Sequence, residues 1–144
     1  MDKLKVIFVQ NADNGNLEFE SLWCGKVEDG CIVDNIPFIA KRISLGDKIK
    51  VEYDEEEKAY YFDDFIEVSG NSTIRIFFKT PEMIEVVGRE LEKLGCIGEG
   101  FTQKAMMAVS IPKAINYSPV KNYLDKGEEN GDWTYEESCL CHED

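Results

Sequence analysis

The sequence predicts an α+β fold in which a small strand-rich barrel or rolled sheet, residues 1–69, is joined to a ferredoxin-like βαββαβ half, residues 70–144. Two observations predict this division. Short apolar or alternating runs fill the first half, separated by turn residues at the spacing of about eight to twelve residues that is typical of small barrels. In the second half, two runs of helical periodicity are interleaved with strand-like runs. We therefore expect a junction near Ser69 without a flexible linker.

Five or six short strands are predicted in the first half. Residues 5–10 form a β-branched run, and residues 17–23 alternate apolar and polar side chains, as expected for a strand covered on one face. Turn signals at Asn14-Gly15 and at Glu28-Asp29-Gly30 separate these strands from their neighbours. The other predicted strands cover residues 31–33, 48–53 and 59–68.

The second half is predicted to contain two helices. Thr80-Pro81 and Ser118-Pro119 are each expected to cap a helix and supply proline at its first position, and Gly95 is expected to end the first helix. The apolar residues at helical spacing are Ile84, Val87, Leu91 and Leu94 in the first helix and Val120, Tyr123 and Leu124 in the second. The predicted strands cover residues 73–78, 97–101 and 106–111, with a last strand beginning at Trp133.

The sequence indicates a cytoplasmic protein. Its first nine residues contain four consecutive apolar side chains, too few for the apolar region of a signal peptide. No run approaches the roughly eighteen apolar residues that cross a bilayer. The five cysteines show no even framework of spacings, so we expect free thiols and no structural disulfide in a reducing compartment.

Net charge is the unusual property of this chain. Twenty-nine Asp and Glu residues against sixteen Lys and Arg residues give −13 over 144 residues, which disfavours binding to a phosphate backbone. The charge is concentrated in two segments. The first acidic cluster, residues 52–67, and the second acidic cluster, residues 125–144, each carry eight carboxylates against one lysine, a net charge of −7.

Three interpretations of these clusters are open. The first is a solvated hairpin tip and a disordered acidic tail that keep the protein in solution. The second is a surface that captures a basic partner, because complementary charge accelerates encounter and aromatic side chains anchor an interface. The third is a divalent-cation site at the hairpin tip, although the tip lacks the order of carboxylates and glycine found in calcium loops. The aromatic residues among the carboxylates are Tyr53, Tyr60, Tyr61, Phe62 and Phe65 in the first cluster and Trp133 and Tyr135 in the second.

Soft metal ligands occur together at Cys139-Leu140-Cys141-His142. Three ligands without a second pair fall short of a zinc site, so we expect a frayed terminus in which Cys139 packs as a small apolar side chain. His142 is the single histidine of the sequence, and a Ser–His or Cys–His catalytic pair built on it would lie in a mobile segment. We expect no metal, no cofactor and no enzymatic activity.

Four motifs follow one another between residues 22 and 78. They are Leu22-Trp23, Asp34-Asn35-Ile36-Pro37-Phe38, Leu45-Gly46-Asp47 and Ser69-Gly70-Asn71-Ser72-Thr73-Ile74-Arg75. Together they resemble an uncharacterised bacterial family, the domain of unknown function numbered 4265, which usually has histidine at the position of Asn71. The resemblance implies a bacterial cytoplasmic protein and brings no established activity. On their own residues, the second motif predicts a turn with buried Ile36 and Phe38, and the last predicts either a structural turn or a backbone cradle for an anion.

The sequence favours a binding function. We expect an immunity protein or similar dedicated inhibitor that neutralises a basic toxin, above all a nuclease domain, because the cleft of such an enzyme is cationic. The residues expected to contact this partner are Asp54, Glu55, Glu56, Tyr61, Asp63, Asp64, Asp132, Trp133 and Glu136. The alternative is a small-ligand-binding or regulatory module with a pocket between the two halves, which requires neither acidic cluster. We expect no direct contact with nucleic acid or membrane.

Overall fold

The computed structural model describes residues 2–143 and shows a mixed α+β fold that is rich in strands. Within that range there are nine strands, two α-helices and one short 3₁₀-helix. The chain divides into two units, Met1–Ser69 and Gly70–Asp144, and each has its own apolar core. The two described α-helices, of 11 and 13 residues, are too short and too polar to cross a membrane.

The five strands of the first unit close into a barrel. Each strand pairs antiparallel with the next along the chain. Because an odd number of strands in a meander leaves the first and the last pointing in the same direction, β5 pairs with β1 in parallel. The strands are β1 Lys3–Asn11, β2 Leu17–Val27, β3 Gly30–Val33, β4 Lys48–Asp54 and β5 Ala59–Glu67, and all five agree with the predicted segments apart from their ends.

Alternation along these strands places one set of apolar side chains inside the barrel. The buried core residues are Val6, Phe8, Leu22, Cys24, Cys31, Val33, Ala40, Ile43 and Ile49. Ile36, which the sequence predicted to be buried, is 5% exposed, whereas Phe38 is only partly covered.

Side-chain acceptors fix the long connection between β3 and β4, residues 34–47. The Glu20 carboxylate accepts hydrogen bonds from the three successive N–H groups of residues 38–40 at 2.7–2.9 Å. Gln10 Oε1 accepts from the next N–H group, that of Lys41, at 2.8 Å. These bonds supply the hydrogen-bond acceptors that the N–H groups of an irregular segment lack. They also fix the backbone next to Lys41 and Arg42, whose side chains are exposed.

The second unit is a four-stranded antiparallel sheet in the order β7-β8-β6-β9. Its elements are β6 Ser72–Phe78, α1 Met83–Lys93, β7 Ile97–Phe101, the 3₁₀-helix Thr102–Lys104, β8 Met106–Ile111, α2 Tyr117–Glu129 and β9 Trp133–Cys139. Ile74, Ile76 and Phe78 of β6 alternate toward one face and share a core with apolar residues of both helices. The buried helix residues of that core are Val87, Leu91, Tyr117, Val120 and Leu124.

The start of α1 differs from the prediction. Its N-cap residue is Glu82, which makes no side-chain cap hydrogen bond, so the predicted cap at Thr80-Pro81 is wrong. These two residues instead belong to the turn before the helix, where the Pro81 carbonyl accepts from the N–H of Ile84 at 3.1 Å. The predicted end is confirmed, since Gly95 follows the last helical turn with a φ of +95° that suits glycine.

The start of α2 also lies elsewhere. Asn116 is the N-cap residue, and its Oδ1 accepts a hydrogen bond from the N–H of Ser118 at 3.1 Å. Ser118 and Pro119 therefore lie in the first helical turn, and the predicted Ser118-Pro119 cap is wrong. Proline is tolerated there because the first-turn N–H groups have no helical acceptor.

Close packing between α2 and β9 makes Gly127 a sensitive position. A Cβ atom there would lie 1.9 Å from Cζ2 of Trp133, so Gly127→Ala is expected to lower the free energy of unfolding by about 2 kcal/mol or more. The matched change is Gly88→Ala in α1, whose nearest neighbour is the flexible Cε of Met107 at 3.0 Å. It is expected to be neutral or stabilising by up to about 1 kcal/mol, because alanine favours helix. Urea unfolding followed by circular dichroism measures both, and equal losses in the two variants would contradict this packing.

Candidate functional site

The β4–β5 hairpin carries the first acidic cluster and ends in a four-residue tip, residues 55–58. Asp54 shapes the tip, because its Oδ1 accepts hydrogen bonds from the N–H groups of Glu56 and Glu57, both at 3.0 Å. Lys58 closes the turn with a φ of +53°. Asp54 therefore has a structural role, and the side chains of Glu55, Glu56 and Glu57 are left exposed to solvent.

This tip and the adjoining strand residues line an open groove of about 640 Å³. The groove brings together four of the predicted contact residues, Asp54, Glu55, Glu56 and Tyr61, with two that were not predicted, Glu52 and Tyr53. Tyr53 is 48% exposed, and its ring centroid lies 5.0 Å from that of Tyr60, its partner across the two strands. The groove thus combines carboxylates with an accessible aromatic ring.

Most of the carboxylates of this groove have no internal counter-charge. Among residues 2–143, no lysine, arginine or histidine forms an ion pair with Glu52, Glu55 or Glu56. Like charges that line one groove repel one another.

Asp63 and Asp64, also predicted to contact a partner, lie on β5 outside the groove. Asp63 forms an ion pair with Lys50 of β4 at 3.6 Å. Asp64 Oδ1 accepts a hydrogen bond from the N–H of Phe65 at 2.8 Å. Both aspartates are exposed, but the ion pair with Lys50 partly neutralises the charge of Asp63. Asp63 and Asp64 together therefore offer less uncompensated negative charge than the tip.

Trp133, predicted as an aromatic anchor of the second cluster, belongs to the core instead. It is 6% exposed, and its Nε1 donates a hydrogen bond to the carbonyl of Leu124 at 3.0 Å. Its ring lies 5.5 Å from that of Tyr123 and 6.0 Å from that of Phe78. The correction has a simple cause: alternation along β9 directs position 133 toward α2, so this side chain offers no surface to a partner.

Four carboxylates of the second cluster, Asp125, Glu128, Glu136 and Glu137, are hydrogen-bonded or ion-paired within the unit. Glu136 pairs with Nη1 of the buried Arg75 at 3.2 Å. Glu137 accepts from the hydroxyl of Tyr117 at 2.5 Å and lies 3.5 Å from Nζ of Lys121. Burial and the Glu137 hydrogen bond raise the pKa of Tyr117 well above its usual range, so its hydroxyl remains a donor.

A second tyrosine–carboxylate pair joins the same two elements in the opposite sense, with Tyr135 on β9 and Asp125 on α2. The hydroxyl of Tyr135 donates to Asp125, and its backbone N–H donates to Glu128 Oε2 at 3.2 Å. Burial, followed by the Asp125 hydrogen bond, raises the pKa of Tyr135 to about 12. Of the predicted contact residues in this cluster, only Asp132 is an exposed carboxylate with no ion-pair partner among residues 2–143.

The C-terminal segment is anchored, contrary to the expectation of a frayed terminus. Ser72 Oγ accepts hydrogen bonds from the N–H groups of Cys141 at 2.8 Å and His142 at 3.2 Å. His142 Nε2 lies 2.9 Å from the Pro112 carbonyl, which can only accept, so Nε2 carries the proton and Nδ1 accepts from the Ser72 hydroxyl at 2.6 Å. Ser72 is fully buried, so this Ser–His pair holds the segment in place and presents no nucleophile.

A second cavity, of about 500 Å³, opens on the barrel. Its apolar wall is aromatic: Phe8 stacks on Phe62 at 5.1 Å, and Phe65 meets Phe62 edge-on at 5.2 Å. Lys41 and Arg42 are exposed at its rim, and Arg42 has a φ of +67°, a conformation that costs a residue with a Cβ about 1 kcal/mol or more. The combination of an apolar wall and a cationic rim suits a small anion with an apolar body. This cavity could not be predicted from the sequence, because its lining comes from three separated segments of the chain.

Comparison with known proteins identifies a family and one similar structure. The model of a family described as "Domain of unknown function (DUF4265)" matches residues 20–135. A crystal structure of a hypothetical protein from Neisseria gonorrhoeae matches with a TM-score of 0.84 and 25% sequence identity, covering 99% of each chain. No curated protein matches the sequence.

If the second cluster is structural, its two kinds of carboxylate should respond differently to neutralisation. Glu136→Gln removes the charge that faces the buried Arg75 and is expected to lower the free energy of unfolding by about 1–3 kcal/mol. Asp132→Asn removes an exposed charge with no ion-pair partner and is expected to change the free energy of unfolding by less than about 0.5 kcal/mol. Denaturant unfolding of both variants at one pH and salt concentration measures the difference. Equal stability of the two variants would mean that Glu136 has no structural role.

Proposed function

The chain belongs to the DUF4265 family, and we propose, from the surface described above, that it is a binding protein and not an enzyme. In this proposal the groove at the tip of the β4–β5 hairpin captures a basic protein. The contact residues are Glu52, Tyr53, Asp54, Glu55, Glu56 and Tyr61.

The contrast between the two acidic clusters supports this assignment most strongly. In the second cluster, Glu136 and Glu137 have cationic or hydroxyl partners inside the unit. In the first, Glu52, Glu55 and Glu56 have no ion-pair partner among residues 2–143. Concentrated charge that stabilises nothing internally raises the energy of the free protein, and a cationic partner recovers that energy on binding.

The chemistry of the groove indicates what kind of basic surface would fit. Tyr53 offers an exposed ring beside carboxylates, a composition common at the centre and rim of protein interfaces. An enzyme that acts on nucleic acid presents lysines and arginines in its cleft, and an acidic projection entering that cleft excludes the substrate. We therefore assign the protein the role of a cytoplasmic immunity protein or dedicated inhibitor of a toxin nuclease domain.

The proposal extends to the architecture. The sheet order β7-β8-β6-β9 corresponds to the second, third, first and fourth strands of the second unit, with a helix after the first strand and another after the third. This order supports a ferredoxin-like assignment for the second unit, and the closed sheet of the first unit supports a small barrel. In this arrangement the hairpin of the barrel carries the binding groove.

A small-ligand function is the second candidate, and the barrel cavity favours it. The wall of Phe8, Phe62 and Phe65 would accept an apolar ring, and Arg42 at the rim would pair with an anionic group. The strained backbone of Arg42 supports a role for this residue in ligand binding, because strained residues cluster at ligand sites.

Charge reversal at the tip tests the binding proposal. A partner is first captured from a lysate of the native cell on the immobilised wild-type chain and assayed for nuclease activity with and without this protein. The double change Glu55→Lys and Glu56→Lys is then expected to slow association with that partner about tenfold or more at low salt and to flatten the salt dependence of the rate. Stopped-flow or surface plasmon resonance measures the rate.

The matched control is Glu129→Lys with Asp132→Lys, which makes the same change in net charge at exposed positions of the second cluster. It is expected to retain most of the association rate. If both double variants slowed association equally, the effect would come from net charge alone. If the tip variant inhibited the partner as well as the wild type does, the groove would not be part of the interface.

An aromatic anion tests the barrel cavity. The dye 8-anilinonaphthalene-1-sulfonate is expected to bind the native protein, and Arg42→Asn is expected to weaken binding about fivefold or more, since asparagine tolerates positive φ but lacks the charge. Arg89→Gln, an exposed charge on α1, serves as the control and should leave the affinity unchanged. Fluorescence titration gives both dissociation constants, and equal affinities for wild type and Arg42→Asn would place the dye elsewhere.

A further inference from the structure

Two of the five cysteines differ from the rest in accessibility. Cys24, Cys31 and Cys96 are buried in the cores, and burial raises the pKa of the Cys24 thiol to about 12 and that of Cys96 to about 11. Thiols of this kind react slowly, because the thiolate is the nucleophile. Cys139 is partly exposed and Cys141 is exposed.

The two accessible thiols also lie side by side. Cys139 Sγ and Cys141 Sγ are 3.9 Å apart, at the end of β9 and just beyond it. A disulfide bond is about 2.0 Å long, and rotation of the partly exposed Cys139 and exposed Cys141 side chains brings the sulfur atoms toward that distance.

The backbone around this pair is held by hydrogen bonds to β6. Cys139 pairs with Thr73 of β6, and the N–H of Cys141 donates to Ser72 Oγ at 2.8 Å. Both ring nitrogens of His142 are hydrogen-bonded, to Ser72 and to the Pro112 carbonyl. The histidine therefore fixes the segment and is not the base for a thiol, while the two sulfur atoms stay close to each other.

We infer that Cys139 and Cys141 form a redox-active dithiol that exchanges with low-molecular-weight disulfides. The Cys141 thiolate attacks one sulfur of the disulfide, forms a mixed disulfide and releases one thiolate. The Cys139 thiolate then attacks the Cys141 sulfur, closes the Cys139–Cys141 bond and releases the second thiolate. The protein loses two electrons and two protons, and the disulfide gains them as two thiols.

The ring formed by such a pair is small, since one residue separates the cysteines. A strained or exposed disulfide is readily reduced again, which is the behaviour of a regulatory bond and not of a structural one. The site is independent of the proposed binding groove, because its residues lie in the other unit of the chain.

Oxidised glutathione is the probe that tests this site. The reduced full-length chain is equilibrated in glutathione buffers of increasing oxidised fraction, quenched by alkylation, digested with trypsin and analysed by mass spectrometry. Both cysteines fall in the peptide after Lys126, residues 127–144. This peptide is expected to lose two hydrogens reversibly, whereas the peptide that contains Cys96 stays reduced.

Single variants distinguish ring closure from ordinary surface oxidation. Cys139→Ser is expected to lose the internal bond and to accumulate glutathione on Cys141, because no neighbouring thiol displaces it. Cys141→Ser is expected to lose the internal bond as well, and both variants should keep the wild-type circular dichroism spectrum. Mixed disulfides persisting on the wild-type peptide, a peptide that resists oxidation, or equal oxidation of the Cys96 peptide would each overturn the inference.

Discussion

The ion pair between Arg75 and Glu136 determines which carboxylates of the second acidic cluster obtain partners within the unit. Arg75 is 3% exposed in the middle of β6, and a guanidinium buried there without an anion would cost several kcal/mol. Register with β9 places Glu136 opposite it. Because side chains alternate along β9, the flanking Tyr135 and Glu137 face α2 instead and bond to Asp125, Lys121 and Tyr117. Asp125, Glu136 and Glu137 of the second acidic cluster are thereby bound into their own unit.

The first cluster, equal in net charge, has a different physical role. Asp54 uses its carboxylate to close the hairpin tip, and Asp63 is paired with Lys50, but the remaining tip carboxylates face solvent. An unpaired acidic projection raises the free energy of the isolated protein and gains most from a cationic partner. The two segments carry the same net charge, but Glu52, Glu55 and Glu56 of the first have no ion-pair partner among residues 2–143, whereas Glu136 and Glu137 of the second do.

Local patterns predicted much of the fold, and contacts between distant residues account for what they missed. Two-residue alternation located the strands, and Gly95 marked the end of α1. The burial of Trp133 could not be predicted, because its neighbours Leu124 and Phe78 come from other elements. The anchoring of His142 depends on Ser72, seventy residues earlier. The helix starts were misplaced because a Ser-Pro pair suits a first helical turn as well as a cap, as at Ser118-Pro119, and because Thr80-Pro81 forms the turn that precedes α1.

The central claim is that the uncompensated carboxylates of the β4–β5 hairpin form the binding face. Hydrogen exchange measured by mass spectrometry on the free protein and on its complex with the captured basic partner tests it most directly. The account predicts slower exchange on binding in the part of β4 next to the tip, the tip itself and the adjoining half of β5, residues 50–63, and unchanged exchange in α2 and β9. Protection confined to α2 and β9, with none at the hairpin, would contradict it.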